Sequence, residues 1–216
     1  FPKEKIVLTG NPLRGRFWRN PDLRAEALRH FGLEEGKPVT LVVGGSLGTR
    51  TLNEAMKAHA DEIVREGRFQ VIWQTGKYYE REMDEFMRGR DARGIWRGAF
   101  IERMDLAYAA ADIVVARSGA GTVSELCLVG KAVVFVPSPN VAEDHQTKNA
   151  MALADRGAAL VVPDREAVAR VFSEAGRLLA DDAMRSEMEK NIRALAVADS
   201  ADRVADEILK VVKRSE

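Results

Sequence analysis

The fold of this chain is indicated most clearly by one stretch, Arg117-Ser118-Gly119-Ala120-Gly121-Thr122-Val123-Ser124-Glu125. It follows the apolar run Asp112–Ala116, which predicts a buried parallel strand, and it opens a run from Thr122 to Val129 that predicts a helix. In α/β proteins, a strand, a turn of small residues and a helix together present backbone N–H groups to a phosphate. Glycine lets an anion approach the backbone, and the first helical turn leaves donors without partners. Residues 117–125 therefore predict an anion-binding turn.

Two polar side chains extend this prediction from a phosphate to a nucleotide sugar. Thr122 adds a hydroxyl to the turn. Glu125 lies about one helical turn further on, on the same side of the predicted helix, within reach of sugar hydroxyls. We therefore interpret the stretch as part of a nucleotide-sugar site.

The rest of the chain alternates strands with helices. Strands are predicted at Ile6–Thr9, Val39–Val43, Phe69–Trp73, Ile95–Ala99, Asp112–Ala116, Lys131–Val136 and Ala158–Val162. Helices are predicted near 20–31, 51–65, 78–88, 104–111, 122–129 and 143–156, with Asn20 as the first N-cap. The remainder after Pro163-Asp164 is predicted to be helical, with breaks near Asp181 and Asp199. This alternation predicts an α/β fold with an open, doubly wound parallel sheet of the Rossmann-like type.

Ligands of such sheets bind beyond the carboxyl ends of the strands. Four loops are predicted to meet there: Gly44–Gly48, Gln74–Lys77, Phe100–Met104 and Arg117–Glu125. The first can cradle a phosphate, but it is not G-x-G-x-x-G and no acidic residue follows at the usual spacing, which argues against a dinucleotide. The absence of a G-K-[ST] motif argues against ATP hydrolysis.

Other candidate residues have competing interpretations. Phe100 and Ile101 end a predicted strand, where they either hold a flat base or simply belong to the core. His145 and Gln146, together with Asn149, begin a helix and are able to bind sugar hydroxyls. His30 and His59 are interpreted as structural. No metal site is predicted, because the chain has no H-x-x-x-H motif, paired cysteines or D-x-D motif.

Composition narrows the class of protein. The 216 residues include 33 Lys and Arg against 33 Asp and Glu, so charge does not suggest a nucleic-acid partner. The single Cys127 excludes an internal disulfide and fits a reducing compartment, and we expect it to be a small core residue. No transmembrane segment or signal peptide is predicted. The start at Phe1, without an initiator Met, leads us to expect a piece of a longer protein.

Six blocks of sequence, in this order and at this spacing, resemble the carboxyl-terminal half of the MurG family. They are Gly10–Arg14, Gly44–Gly48 with Leu52-Asn53, Gln74–Lys77, Phe100-Ile101 with Met104, Arg117–Glu125, and His145–Ala150. The family is the bacterial N-acetylglucosaminyltransferase that converts lipid I to lipid II in peptidoglycan synthesis. The resemblance implies the second half of a glycosyltransferase B fold. It also implies UDP-N-acetylglucosamine as donor and no cofactor.

The resemblance also implies a role for each matching residue. Glu125 would bind the ribose hydroxyls, while Phe100 and Ile101 would hold the uracil. Ser46 and Thr122 would contact the diphosphate. The remaining roles are Arg14 beside the nucleotide, Met104 near the nucleoside, and the Ala120 backbone, Gln146 and Asn149 at the sugar hydroxyls.

The chain departs from the family in two respects. Leu47 stands where many members have Gln. The family's first domain, which carries the acceptor loops, the proposed general base and the membrane-facing patch, has no counterpart here. We therefore expect residues 1–198 to form the donor-binding domain and 199–216 to form a helix that packs on that first domain. No catalytic residue is expected on this chain, which alone would bind donor without turnover. The parent enzyme is expected at the cytoplasmic face of the bacterial inner membrane, where it would bind lipid I.

Two alternatives from other classes stay open. A UDP-N-acetylglucosamine 2-epimerase would share the fold and the donor, but it would need no acceptor. A non-catalytic subunit would bind the nucleotide sugar and take its other half from a second polypeptide.

Overall fold

The computed structural model describes residues 2–13 and 21–213 and contains one parallel sheet covered by helices on both faces. The strands are β1 (Val39–Val43), β2 (Gln70–Gln74), β3 (Ile95–Gly98), β4 (Ile113–Ala116), β5 (Ala132–Phe135) and β6 (Leu160–Val161). The α-helices are α1 (Arg24–Phe31), α2 (Arg50–Glu66), α3 (Glu80–Met87), α4 (Met104–Ala110), α5 (Ala120–Val129), α6 (His145–Ala154), α7 (Ala167–Ala180), α8 (Asp182–Arg193) and α9 (Ser200–Lys213). Short 3-10 turns lie at Lys3–Lys5, Pro21–Leu23, Ala142–Asp144 and Asp164–Glu166.

The strands pair in the order β3-β2-β1-β4-β5-β6, and every neighbouring pair is parallel. This is the doubly wound order in which the chain reverses direction across the sheet between β1 and β4. The predicted α/β, Rossmann-like fold class is confirmed.

Both faces of the sheet are buried because alternate residues of each strand enter different cores. Leu41 and Val114 pack on one face with α1, α4, α5 and α6. Val42 and Val115 pack on the other face with α2, α3 and α7. The nearly continuous apolar runs of β1, β4 and β5, broken only by Thr40, follow from this two-sided burial.

Cys127 is confirmed as a core residue. It lies on α5 in the first of these cores with 5% of its surface exposed. Burial raises the pKa of its thiol to about 11, so the reactive thiolate is scarce at neutral pH. The side chain packs as a small apolar group.

The predicted strand Ile6–Thr9 is wrong. Within the described residues, this segment pairs with no strand, and Ile6, Val7 and Leu8 are 53%, 58% and 86% exposed. The segment leads to Gly10 and Asn11. Asn11 contacts the start of α9, where the Ser200 hydroxyl donates to the Asn11 carbonyl at 3.0 Å. A short apolar run predicts a strand only where a sheet edge is available to pair with it.

Several helix starts differ from the prediction, and three of them bear on the site or on the start of the fold. Helix α5 begins at Ala120 rather than Thr122, so the small residues of the turn already form its first turn. Helix α6 begins at His145, because the 3-10 turn Ala142–Asp144 occupies the expected start. Helix α1 begins at Arg24 after another 3-10 turn, and Asn20 lies outside the described residues.

The buried hydroxyl of Thr40 provides a test of the sheet's packing. Thr40 is fully buried on β1, and its Oγ1 has no hydrogen-bond partner among the described residues. We expect Thr40→Val to raise the free energy of unfolding by about 1 kcal/mol, because it removes an unsatisfied polar atom at nearly constant shape. Urea unfolding measures the change.

Thr49→Val is the matched control. The Thr49 hydroxyl donates to the Gly44 carbonyl at 2.9 Å, so the same substitution there should lower the free energy of unfolding by about 1 kcal/mol. Equal destabilisation by the two variants would contradict the assignment of Thr40 as an unsatisfied group.

Candidate functional site

The reversal between β1 and β4 opens a crevice at the carboxyl edge of the sheet. The chain leaves β1 for α2 on one face and leaves β4 for α5 on the other face. The two connecting loops therefore diverge, and the space between them is where doubly wound folds bind ligands.

This crevice contains a cavity of about 520 Å³. Its lining comes from the loops at this edge of the sheet and from the starts of the following helices: Gly44, Gly45, residues 48–51, Tyr79, Arg117, Gly119, Thr122, Ser138, Asn140, Gln146 and Asp164. A second cavity of about 510 Å³ lies between α2 and α7, around Pro38, Phe69 and Phe172. Pro38 and Phe69 precede β1 and β2, so the second cavity is at the opposite edge of the sheet.

Three helix N-termini reach the first cavity without a capping side chain. In the described part of the chain, no N-cap side chain accepts a hydrogen bond at the start of α2, α5 or α6. For α5 the N-cap is Gly119, which has no side chain to offer. The first-turn N–H groups and the positive end of the helix dipole are then available to an anion.

The loop after β1 is held by backbone contact with the loop after β2. Gly48 and Gly76 lie against each other, and a Cβ on Gly48 would overlap the Thr75 carbonyl oxygen. The Asn53 side chain supports the contact, donating to the Thr75 carbonyl at 2.9 Å and accepting from the Trp73 indole at 2.9 Å. The shape of the first loop is therefore set before any ligand arrives.

Arg117 crosses the floor of the crevice. Its guanidinium donates to the Val136 carbonyl at 2.8 Å and lies 2.5 Å from an Asp164 carboxylate oxygen. Only 14% of its side chain is exposed. Arg117 joins the carboxyl ends of β4 and β5 to the segment after β6, and its charge is partly balanced by Asp164.

Glu125 is held by a buried phenol. Tyr108 on α4 is 4% exposed, and its hydroxyl donates to Glu125 Oε2 at 3.0 Å. Burial raises the pKa of Glu125, and the Tyr108 hydrogen bond opposes that rise. The Glu125 carboxylate thus depends on a partner that the sequence analysis did not identify.

The start of α6 presents two polar side chains in defined roles. His145 Nδ1 lies 2.9 Å from the Ala142 carbonyl, which makes Nδ1 the donor and leaves Nε2 as the acceptor of the neutral ring. Gln146 Oε1 accepts from the Ser138 amide at 3.0 Å, so its NH₂ is the group it can present to a ligand. The preceding residues Glu143 and Asp144 have φ values of 53° and 52°, a strained backbone that is common at functional sites.

Asn149 holds the loop after β4 instead of facing the cavity. Its side-chain amide donates to the Ser118 carbonyl at 3.0 Å, while the Ser118 hydroxyl donates to the Gln146 carbonyl at 2.8 Å. These two bonds tie the turn at residues 117–119 to α6.

The structure divides the predicted site residues into groups. Thr122 and Gln146 line the cavity, Ala120 begins α5, and Ser46 is exposed in the loop after β1. Phe100, Ile101, Met104, Glu125 and His145 do not line this cavity. Phe100 is half exposed, Ile101 is 2% exposed within the core, Met104 packs against the same core, and His145 is exposed at the start of α6. Arg14 lies outside the described residues.

Several residues support the site in ways that the sequence did not predict: Tyr108 lies in no identified motif, and Asn53 and Arg117 lie in identified blocks but were assigned no individual role. Tyr108, Asn53 and Arg117 act through partners 17 to 66 positions away. Only a prediction of the sheet order would have brought them next to the loops that they support.

The model of the glycosyltransferase family 28 C-terminal domain matches residues 39–204. The chain belongs to this family. The match spans all six strands and both loops of the crevice, so it covers the elements that build the site.

Individual relatives of the family 28 domain are named as one enzyme. The chain is 46% identical over 214 residues to the UDP-N-acetylglucosamine--N-acetylmuramyl-(pentapeptide) pyrophosphoryl-undecaprenol N-acetylglucosamine transferase of Parabacteroides distasonis, covering 99% of this chain and 58% of that protein. The relative of the same name from Porphyromonas gingivalis is 47% identical, with 99% and 56% covered. The chain thus spans just over half the length of the curated relatives it matches.

Comparison with solved structures supports the same family assignment. The crystal structure of MurG from Acinetobacter baumannii superposes with a TM-score of 0.71 at 28% identity, covering 97% of this chain and 58% of that chain. The predicted membership in the carboxyl-terminal half of the MurG family is confirmed. A UDP-N-acetylglucosamine 2-epimerase superposes with a TM-score of 0.57 at 15% identity, covering 95% and 48%, which shows a common fold alone.

Within residues 2–13 and 21–213, no group of three or more His, Cys, Asp or Glu side chains is arranged to hold a metal ion. In the same ranges, no helix combines the length and apolar character needed to cross a membrane.

The close approach of Gly48 to the neighbouring loop generates a stability prediction. Gly48 and Gly45 both have positive φ values, of 85° and 82°, but only at Gly48 would a Cβ meet other atoms. We expect Gly45→Ala to lower the free energy of unfolding by about 1–2 kcal/mol for backbone strain alone. Gly48→Ala should cost about 1–3 kcal/mol more, since backbone atoms cannot move aside as a side chain can.

Urea unfolding of the two variants compares them directly. Similar losses of stability for Gly45→Ala and Gly48→Ala would contradict the packed contact between the two loops.

Proposed function

We propose that this chain binds the donor UDP-N-acetylglucosamine in an enzyme that transfers N-acetylglucosamine to lipid I, forming lipid II for peptidoglycan. One observation carries the proposal: relatives named as this transferase match 99% of the chain at 46–47% identity. The crevice between α2, α5 and α6 supports it, because uncapped helix N-termini there can bind the anionic diphosphate of the donor.

In the proposed complex, the diphosphate lies at the start of α5. The amides of the first turn and the Thr122 hydroxyl bind it, and Ser46 approaches from the loop after β1. Three uncapped helix N-termini favour negative charge at this place, which supports the assignment.

The nucleoside is proposed to lie along α4 and α5, outside the cavity itself. Glu125 accepts hydrogen bonds from the ribose hydroxyls, and the Ile101 backbone pairs with the uracil edge. Phe100 is half exposed at the end of β3, which leaves its ring available to cover a base. Met104 and Arg14 are proposed to border the nucleoside.

The sugar is proposed to lie at the start of α6 and the Ala120 backbone. His145 offers an acceptor and Gln146 offers donors, a combination suited to neighbouring hydroxyls. Asn149 acts indirectly, because its amide is engaged with the Ser118 carbonyl.

The proposed reaction displaces UDP from the anomeric carbon with inversion. The acceptor hydroxyl oxygen forms the new bond as the bond to the β-phosphate oxygen breaks, and the acceptor proton passes to a general base. The α5 amides stabilise the charge that develops on the leaving diphosphate. We propose that the base lies on another domain of the enzyme, as do the acceptor loops and the membrane-binding surface at the cytoplasmic face of the inner membrane.

Helix α9 is proposed to pack on that other domain. Its face carries Ile208, Leu209, Val211 and Val212, each more than half exposed in this structure. Such a contiguous apolar face is unusual on a surface that meets only water.

Calorimetry with UDP-N-acetylglucosamine tests the donor site. We expect saturable binding by the unmodified chain and a loss of about 10-fold or more for Glu125→Gln, because two ribose hydroxyls would lose a charged acceptor. Glu187→Gln, an exposed carboxylate on α8, is the control and should bind as the unmodified chain does. Equal affinity for the Glu125 and Glu187 variants would contradict the site.

Activity measurements separate the proposed enzyme from its alternatives. With a lipid I analogue, this chain alone should transfer no sugar, since we propose that the base and acceptor site lie elsewhere. Transfer by the chain alone would refute that division. Isomerisation of the donor without acceptor would instead indicate an epimerase.

A further inference from the structure

We propose that Tyr108 is a positioning residue for the ribose: its hydroxyl engages one oxygen of Glu125 and directs the other toward the ribose diol. This inference rests on the proposed donor site. It assigns a task to a buried phenol that the sequence motifs do not include.

The geometry joins two helices that come from different parts of the sheet. Tyr108 is on α4, which follows β3, and Glu125 is on α5, which follows β4. The Tyr108 hydroxyl donates to Glu125 Oε2 at 3.0 Å, and this bond ties the Glu125 carboxylate to α4. Since Tyr108 is 4% exposed and belongs to the core, its hydroxyl is a fixed point against which a half-buried carboxylate can be oriented.

The direction of this hydrogen bond is determined by chemistry. Burial and the nearby Glu125 raise the pKa of Tyr108, so the phenol keeps its proton and donates it. A carboxylate oxygen that accepts from the phenol becomes less free to rotate, and the second oxygen is held in place for a ligand hydroxyl.

The same contact opposes protonation of Glu125. Burial raises the pKa of Glu125, while the hydrogen bond from Tyr108 lowers it. Helices α6 and α8 also pack on α5, and within the described residues burial and the Tyr108 hydrogen bond are the two influences on the pKa of Glu125. Removing the hydroxyl therefore raises the pKa further, and the neutral acid form appears at a higher pH.

The inference predicts a specific effect on ribose recognition. With a fixed, ionised Glu125 carboxylate, the chain should bind UDP more tightly than 2′-deoxy-UDP, because 2′-deoxy-UDP lacks one of the two ribose hydroxyls that donate to the carboxylate. A rotating or protonated Glu125 should lose that preference while retaining the binding energy of the diphosphate.

Calorimetry with UDP and 2′-deoxy-UDP between pH 5 and pH 8 tests this for Tyr108→Phe, with Tyr78→Phe as control because Tyr78 is 81% exposed. We expect the unmodified chain and the control to prefer UDP by about 10-fold at pH 7.5. In Tyr108→Phe this ratio should fall to within about 2-fold. As the pH is lowered, UDP binding by this variant should begin to weaken at a higher pH than UDP binding by the unmodified chain. The affinity ratio is independent of the fraction of folded protein.

An unchanged ratio and pH profile in Tyr108→Phe would overturn the inference and leave the donor site intact. Failure of the unmodified chain to bind UDP would overturn the proposed function and this inference with it.

If Tyr108→Phe does not fold, a variant with 3-fluorotyrosine at position 108 tests the same hydrogen bond. The chain has three tyrosines, so Tyr78→Phe with Tyr79→Phe leaves Tyr108 as the single site for 3-fluorotyrosine. The fluorinated phenol is a stronger donor with nearly the same shape. With the fluorinated phenol, UDP binding should be lost only at a lower pH. If UDP affinity depends on pH identically in the unfluorinated double variant, the role of the Tyr108 hydroxyl is contradicted.

Discussion

The binding crevice exists because the chain diverges after β1 and β4. These strands are neighbours in the sheet, yet they send their following helices to opposite faces. A gap must open where the two connections separate, and the N-termini of α2 and α5 border it. Because Gly119 provides no capping side chain, the first-turn amides of α5 have no side-chain partner at the N-cap and are available to a ligand. An anion at this place complements the helix dipoles, and Arg117 lines the same crevice.

The surrounding contacts keep this gap in a binding-competent shape. Gly48 and Gly76 join the loops after β1 and β2, and the Asn53 amide supports them from α2. On the other side, Ser118 links the loop after β4 to α6. Tyr108 orients the carboxylate of α5. These are contacts between elements distant in sequence, so the rigidity of the crevice is a property of the whole sheet and not of any one motif.

Sequence reasoning identified most of the sheet, since β1, β4 and β5 are buried on both faces and their residues are almost continuously apolar. It failed at Ile6–Thr9, where an equally apolar run finds no strand to pair with. It also missed the 3-10 turn before α6, because the left-handed conformations of Glu143 and Asp144 have no signature in these residue types. The loops of the site were recognisable from glycine and position, and Thr122 and Gln146 line the cavity as their positions suggested. Their supports were not recognisable, since the partnership of Tyr108 with Glu125 becomes visible only when α4 and α5 are packed together.

A crystal structure of this chain with UDP would show whether the diphosphate binds at the start of α5. We expect diphosphate oxygens within about 2.7–3.2 Å of first-turn amides of α5, with the ribose hydroxyls on the Glu125 carboxylate. Diphosphate bound in the cavity between α2 and α7, or at any place away from the start of α5, would contradict it.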